Sequence, residues 1–369
     1  MTNKELHYFI GSCLAINNEN GLKDRLEQII QRKQIDWNKF VWICSNNLVL
    51  QTVYVKFKTH GLLELLPSDL VFHLEEIYKL NLNQNMQILN QIDEISQIFE
   101  TKNIQPVYLK GAGNLIDNLY KNPGERILSD IDLLVREDQF TIAVECLESI
   151  GYKSKVQNYE VYSELMHFPE MHREDLPVPV EIHRHPVSKP WLRRLSSENV
   201  LSDSIKIAGK KNQYVPSNLH KTTINFIHSQ LSNKGSITSL VSFRDMYDIF
   251  LLSQRFDLKT RLNEIPFKRR AKSYFHLINV LFNLTGNERS SRTFSNRIFM
   301  MHYNLNLSSR LYYNTYRIAR SFIELLIIDY LWKVPGFFFS KRMRKTVLLK
   351  LRSREWYKGH LKSMKGRFT

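Results

Sequence analysis

Cysteine is scarce. The 369-residue chain holds three, Cys13, Cys44 and Cys146. They are far apart, odd in number and without a CxxC pair. That argues against a disulfide framework or a thiolate zinc site and fits a reducing cytoplasm. Long apolar runs are missing too. No window approaches the roughly 20 apolar residues that a membrane-spanning helix needs. The most apolar late segment, Phe322 to Phe339, is interrupted by Glu324, Asp329, Lys333 and Pro335. The opening MTNKELHYFIG is too polar, and its apolar part too short, for a secretory signal. There is no P-loop, no internal repeat and no low-complexity block. The expectation is a cytoplasmic protein, with peripheral attachment to a membrane left open.

Acidic residues are outnumbered. Lys and Arg total 52 against 36 Asp and Glu, a formal charge of +16. The imbalance is uneven: residues 341–369 carry eleven Lys/Arg and one acid, Glu355, a net of +10, which leaves +6 for the rest. The basic character therefore belongs mainly to the tail and says little about a catalytic centre. Phe337-Phe338-Phe339 beside these cations suggests an anionic partner, either a membrane leaflet or nucleic acid. Val347, Leu348, Leu349 and Leu351 are spaced to give a helix there one apolar, interfacial side. A solvated tail has the same composition. With 43% hydrophobic and 12% aromatic residues, the chain can bury a large core in two or three subdomains.

The first hundred residues read as helices. Leu22 to Gln31 is amphipathic, Trp37 to Leu48 follows Asp36 as N-cap, and Val49 to His60 is closed by Gly61. Pro67-Ser68-Asp69 opens a long helix whose apolar residues, Leu74, Ile88, Ile92 and Ile95 among them, keep near-helical spacing to about Thr101. Val107 to Val135 then reads as strand, glycine turn, short helix, loop and strand. The first strand, Val107 to Lys110, enters Gly111-Ala112-Gly113. A helix of about two turns runs from Asn114 to Tyr120, and Asn122-Pro123-Gly124 ends it. The second strand spans Ile127 to Val135. Asp138 to Ile150 is a helix, Tyr152 to Val156 a short strand, and Tyr159 to Met171 one or two more. Val178 to His183 alternates clearly, with Pro179 arguing for an edge position or an interrupted ladder. After a connector, Leu219 to Leu231, Leu240 to Leu252 and residues 258–334 are helical.

Side chains at i and i+2 of a strand share a face, roughly 6–7 Å apart. Asp130 and Asp132 therefore point one way, with Ile131, Leu133 and Val135 opposite. Like charges so placed repel unless a cation sits between them. Mg²⁺ is the usual cation, since it takes carboxylate oxygens and substrate phosphates together. Two solvated aspartates on an amphipathic edge strand give the same pattern. The surroundings add to the metal reading. A glycine turn opening a helix offers free backbone N–H groups to an anion, Lys110 precedes it, and Arg126 comes shortly before the aspartates.

These residues resemble the family of uncharacterised nucleotidyltransferases, within the superfamily with a DNA polymerase beta-like fold. The resemblance rests on Leu109-Lys110-Gly111, Arg126, Asp130-Ile131-Asp132-Leu133-Leu134-Val135 and Glu181-Ile182-His183. It implies an α+β fold: a small mixed β-sheet nucleotidyltransferase core over 102–190, flanked by an N-terminal helical region (1–101) and a C-terminal helical region (191–340), with the basic tail (341–369) beyond. It implies transfer of a nucleoside monophosphate from an NTP, such as ATP, to an acceptor, with release of pyrophosphate. Asp130 and Asp132 then hold two Mg²⁺ ions, for which Mn²⁺ can substitute. Glu181 is the third carboxylate, binding the catalytic metal and orienting or deprotonating the acceptor hydroxyl. The backbone of Gly111 and Ala112, with Lys110 and Arg126, grips the β- and γ-phosphates. The wider superfamily has Gly-Gly or Gly-Ser at the turn. Gly111-Ala112 lacks that hydroxyl, and Lys110 replaces it.

His167, His172, His183 and His185 cluster near Glu181. Imidazoles suit zinc, but neither HxxxH spacing nor a Cys partner supports a zinc site. His183 is expected to line the pocket, contacting nucleotide or acceptor or orienting Glu181. His228 with Asp245 or Asp248 either packs inside the C-terminal helices or approaches the cleft. The acceptor is open, whether small molecule or macromolecule. Two other classes share the composition. One is a non-catalytic nucleotide-binding or toxin/antitoxin-like module. The other is a membrane- or nucleic-acid-associated adaptor using the tail.

Overall fold

Apolar spacing and capping residues set the helices of the first hundred residues. A computed structural model describes residues 1–17, 21–32, 35–154, 166–239, 241–282 and 293–323, with positions 338 and 344. Residues 159–165 of the expected strands, the end of the last expected helix beyond Ile323, and nearly all of the basic tail lie outside the described residues. The chain forms two compact units, Met1–Met300 and Met301–Thr369.

The first unit begins with α1 (Asn3–Leu14), α2 (Leu22–Arg32), α3 (Trp37–Asn46), α4 (Leu50–Thr59) and α5 (Ser68–Glu100). Helix α1 falls in the stretch read as helical, but the sequence reading set no bounds for it. Its capping box is the missed signal, with Thr2 accepting from the Glu5 amide and Glu5 accepting from the Thr2 amide. Asp36 caps α3, accepting from the Lys39 amide at 3.0 Å. Helix α5 runs over 33 residues.

A mixed seven-stranded sheet follows: β1 (Val107–Tyr108), β2 (Ile131–Leu134), β3 (Lys153–Ser154), β4 (Met171–His172), β5 (Val180–His183), β6 (Ile205–Lys206) and β7 (Tyr214–Val215), in the order β3-β4-β5-β2-β1-β7-β6. Between strands lie α6 (Lys110–Ile116), α7 (Phe140–Ser149) and α8 (Ser197–Ser202). Strand β2 pairs antiparallel to β1 and parallel to β5. Both β2 and β5 are therefore interior strands, which corrects the edge position expected from Pro179. That proline stands one residue before β5, where its missing N–H costs no ladder bond, and its carbonyl accepts from the Ile131 amide at 2.9 Å. The sheet also continues past residue 190 into β6 and β7.

Alternation sorts the two faces. Ile131, Leu133, Val180 and Ile182 enter one core with Ile88, Ile92, Ile95 and Phe99 of α5 and with Ala143 and Leu147 of α7. Asp132, Glu181 and His183 occupy the opposite face. Helices α9 (Asn218–Phe226), α10 (Gly235–Thr238), α11 (Phe243–Ser253), α12 (Leu258–Arg261) and α13 (Lys268–Leu281) complete this unit apart from α14 (Phe294–Ser308), which crosses the division at residue 300. A π-helical turn, Ile227–Ser232, continues α9. In the second unit, α15 (Arg310–Ile323) carries Tyr316, whose ring lies 4.3 Å from that of His302. Among the described residues, no helix is long and apolar enough to cross a membrane.

Candidate active site

Strand register builds the centre of the site. In the parallel β2–β5 pair, Asp132 stands opposite Glu181 and Leu134 opposite His183. His183 Nε2 lies 2.7 Å from Asp132 Oδ1 and 3.3 Å from Glu181 Oε2. Asp132, Glu181 and His183 each offer a ligand atom, all within 4.8 Å of one another. Asp132 is only 2% exposed, so the alternative of two solvated aspartates does not describe it. Asp130 is half-buried and sits one residue before β2, with Ser129 Oγ donating to its Oδ1 at 3.2 Å.

The cation for Asp132 comes from the neighbouring turn. Lys110 Nζ donates to Asp132 Oδ1 at 2.8 Å, and the Leu109 amide donates to the Asp132 carbonyl at 2.9 Å. Lys110 takes φ = 45°, a left-handed conformation uncommon for a residue with a side chain and often found at functional sites. The helix here starts four residues earlier than its expected start at Asn114. Gly111, Ala112 and Gly113 are the first turn of α6, because the left-handed Lys110 reverses the chain sharply enough to begin it at once.

Charges tune one another. Burial alone raises the Asp132 carboxyl, but Lys110 and the His183 imidazole outweigh it and hold it well below the usual carboxylate range. Burial likewise disfavours a charged His183, yet its bonds to Asp132 and Glu181 raise it above the ordinary imidazole value. Asp130 goes the other way: burial, then repulsion from Asp132, raises it. The His183 ring is wholly buried and presents Nε2 to the Asp132 and Glu181 carboxylates.

Arg126 is committed to Asp248, a pairing that the sequence reading did not make. Its Nη2 donates to Asp248 Oδ2 at 2.9 Å and its Nε to Asp248 Oδ1 at 3.1 Å. Tyr120 donates to the same carboxylate at 2.5 Å. The guanidinium also lies where a Cβ on residue 111 would stand, which accounts for Gly111. Around this pair, Lys110, Asn114, Lys221, His228, Arg244 and Asp245 line one cavity with Arg126 and Asp248. Asn114 Oδ1 is buried and has no hydrogen-bond partner among the described residues. Burial, then the nearby Lys110, lowers the His228 imidazole. The π-helical turn that carries His228 is a rare element often found at functional sites.

Sequence reasoning missed what holds the Arg126 loop. Asn81 Nδ2 donates to the carbonyls of Gly124 and Arg126 at 2.8 and 3.1 Å. Asn85 Nδ2 donates to those of Pro123 and Arg126 at 2.5 and 2.7 Å. Thr52 Oγ1 adds a bond to the Glu125 carbonyl at 2.8 Å. Asparagines four apart inside a long helix were the available signal, since they are poor helix formers without a partner.

A turn that carries a lysine thus stands beside two paired strands that each present a carboxylate. The sequence matches the family described as uncharacterised nucleotidyltransferase over residues 33–283, more than half of the chain, and the protein belongs to that family. The match includes every site residue named above. Comparison with curated proteins finds no match.

Proposed function

We propose that the protein is a divalent-metal-dependent enzyme that moves a nucleoside monophosphate from an NTP to an acceptor hydroxyl, releasing pyrophosphate. The observation that carries this reading is the pairing of Asp132 with Glu181 on interior strands, with Lys110 bonded to Asp132. An oxygen-rich donor set suits Mg²⁺ or Mn²⁺, and Asp130, Asp132 and Glu181 would hold it. Bound there, such an ion neutralises charge on the phosphates and lowers the pKa of a hydroxyl.

The chain's own residues do the rest. Lys110 has three N–H donors, and one bond to Asp132 leaves others for phosphate oxygens. The first N–H groups of a helix lack intrahelical partners, so the amides of Gly111 and Ala112 are offered to the same phosphates. Arg126, its fork held by Asp248, adds positive charge behind Gly111 and a wall to the cavity. Lys221, His228 and Arg244 close that cavity from the C-terminal helices. Glu181 would orient the acceptor hydroxyl. Phosphoryl transfer asks for positioning and charge neutralisation more than covalent chemistry. The full carboxylate set, with Asp132 buried at a desolvation cost, favours an enzyme over a binding module. The test incubates the protein and cell extract with labelled NTPs and Mg²⁺ or Mn²⁺, and identifies labelled species by mass spectrometry. Label on an acceptor, absent with Asp132→Asn, supports the reading; equal labelling by the variant refutes it.

A further inference from the structure

The buried histidine of the site has the geometry of a metal ligand. Octahedral ions at about 2.1 Å from their ligands set neighbouring ligand atoms about 3.0 Å apart. His183 Nε2 stands 2.7 Å from Asp132 Oδ1 and 3.3 Å from Glu181 Oε2, spacings that bracket this value. The other ring nitrogen, Nδ1, lies 3.3 Å from the His185 carbonyl. A ligating histidine nearly always donates its second N–H to such a group, which fixes the ring and frees the opposite nitrogen for the ion. Strand alternation orients the ring toward the ion's side, because residues 181 and 183 share a face of β5. His167 does not compete. Its Nδ1 lies 2.8 Å from the Phe168 carbonyl and 3.7 Å from Glu181, and its ring packs 4.9 Å from that of His183.

We infer that His183 ligates the divalent cation together with Asp132 and Glu181, so that a nitrogen-containing donor set makes this site select a first-row transition ion over Mg²⁺. Carboxylates alone suit Mg²⁺ and Mn²⁺ alike, whereas an imidazole favours the transition ions and is a poor partner for Mg²⁺. The inference rests on the metal-dependent reading above.

The test uses the full chain and Mn²⁺ alone, followed by electron paramagnetic resonance. Pulsed spectra of bound Mn²⁺ should show a nitrogen coupling that changes when the protein carries ¹⁵N-histidine. The coupling should persist in His167→Gln and vanish in His183→Gln, whose Mn²⁺ affinity should fall at least about tenfold. Mg²⁺ should displace bound Mn²⁺ only in at least tenfold excess. The labelled wild-type protein and His167→Gln decide the matter even if His183→Gln does not fold. Bound Mn²⁺ without histidine coupling, or displaced by equimolar Mg²⁺, overturns the inference and leaves the metal-dependent reading intact. No Mn²⁺ binding at all overturns both.

Discussion

At the scale of single residues, the centre is a buried charge network with opposing titrations. The raised His183 contributes stability that is fully present below its unfolded pKa, near 6.5, and is lost as pH rises through its folded value. The lowered Asp132 contributes stability present above its unfolded pKa, near 3.8, and lost as pH falls through its folded value. The pair is therefore strongest between about pH 4 and 6.5. Thermal melts of wild type and Asp132→Asn should differ most in that window. The gap should narrow above it without closing, because Lys110 remains charged and bonded to Asp132. A gap that widens from pH 6 to pH 9 would contradict the assignment. The strand faces that carry Asp132 and Glu181 were legible in the sequence because strand alternation is a fixed period. The bridging position of His183 was not, since it depends on the register between two strands 50 residues apart.

At the scale of elements, two devices hold the turn and the aspartate strand in place. One is the Arg126–Asp248 pair between the 123–126 loop and α11. Both side chains are nearly excluded from water, at 7% and 3% exposed. Removing one partner leaves a charge buried and unpaired, a loss of about 3–5 kcal/mol. Asp248→Ala should show this loss in urea unfolding, and Arg126→Met with Asp248→Leu should recover much of it. The other device is the contact of the same loop with α5. A Cβ on Gly124 would meet Tyr78 at 2.6 Å and Leu82 at 3.0 Å. Gly124→Ala should therefore cost about 1–3 kcal/mol by overpacking, read as a lower urea midpoint at unchanged slope. The boundaries of α2, α3, α4 and α5 could be read to within a few residues, because apolar spacing and caps are local. Strands β6 and β7 could not. Each has two residues, and they pair only because β1 offers β7 a free edge. The loop-holding role of Asn81 and Asn85 was equally hidden, since their partners are backbone carbonyls about 40 residues away.

At the scale of the whole molecule, a helical scaffold supports a small mixed sheet with one acidic face. Its three cysteines are buried, and burial raises the Cys13 and Cys44 thiols well above the ordinary value. Little thiolate forms there. A thiol reagent should modify Cys13 and Cys44 negligibly in the native protein, and all three thiols in denaturant; prompt native labelling of Cys13 would contradict the packing. The central claim concerns Asp130 and Asp132 as the acidic half of a metal-bound triphosphate site. Its most direct test is an NTP titration of the folded protein with and without Mg²⁺ or Mn²⁺, repeated on the Asp130→Asn, Asp132→Asn double variant with its fold checked by circular dichroism. The account predicts saturable binding that requires the divalent ion and is lost in the double variant. An unchanged, metal-independent titration in that folded variant would contradict it.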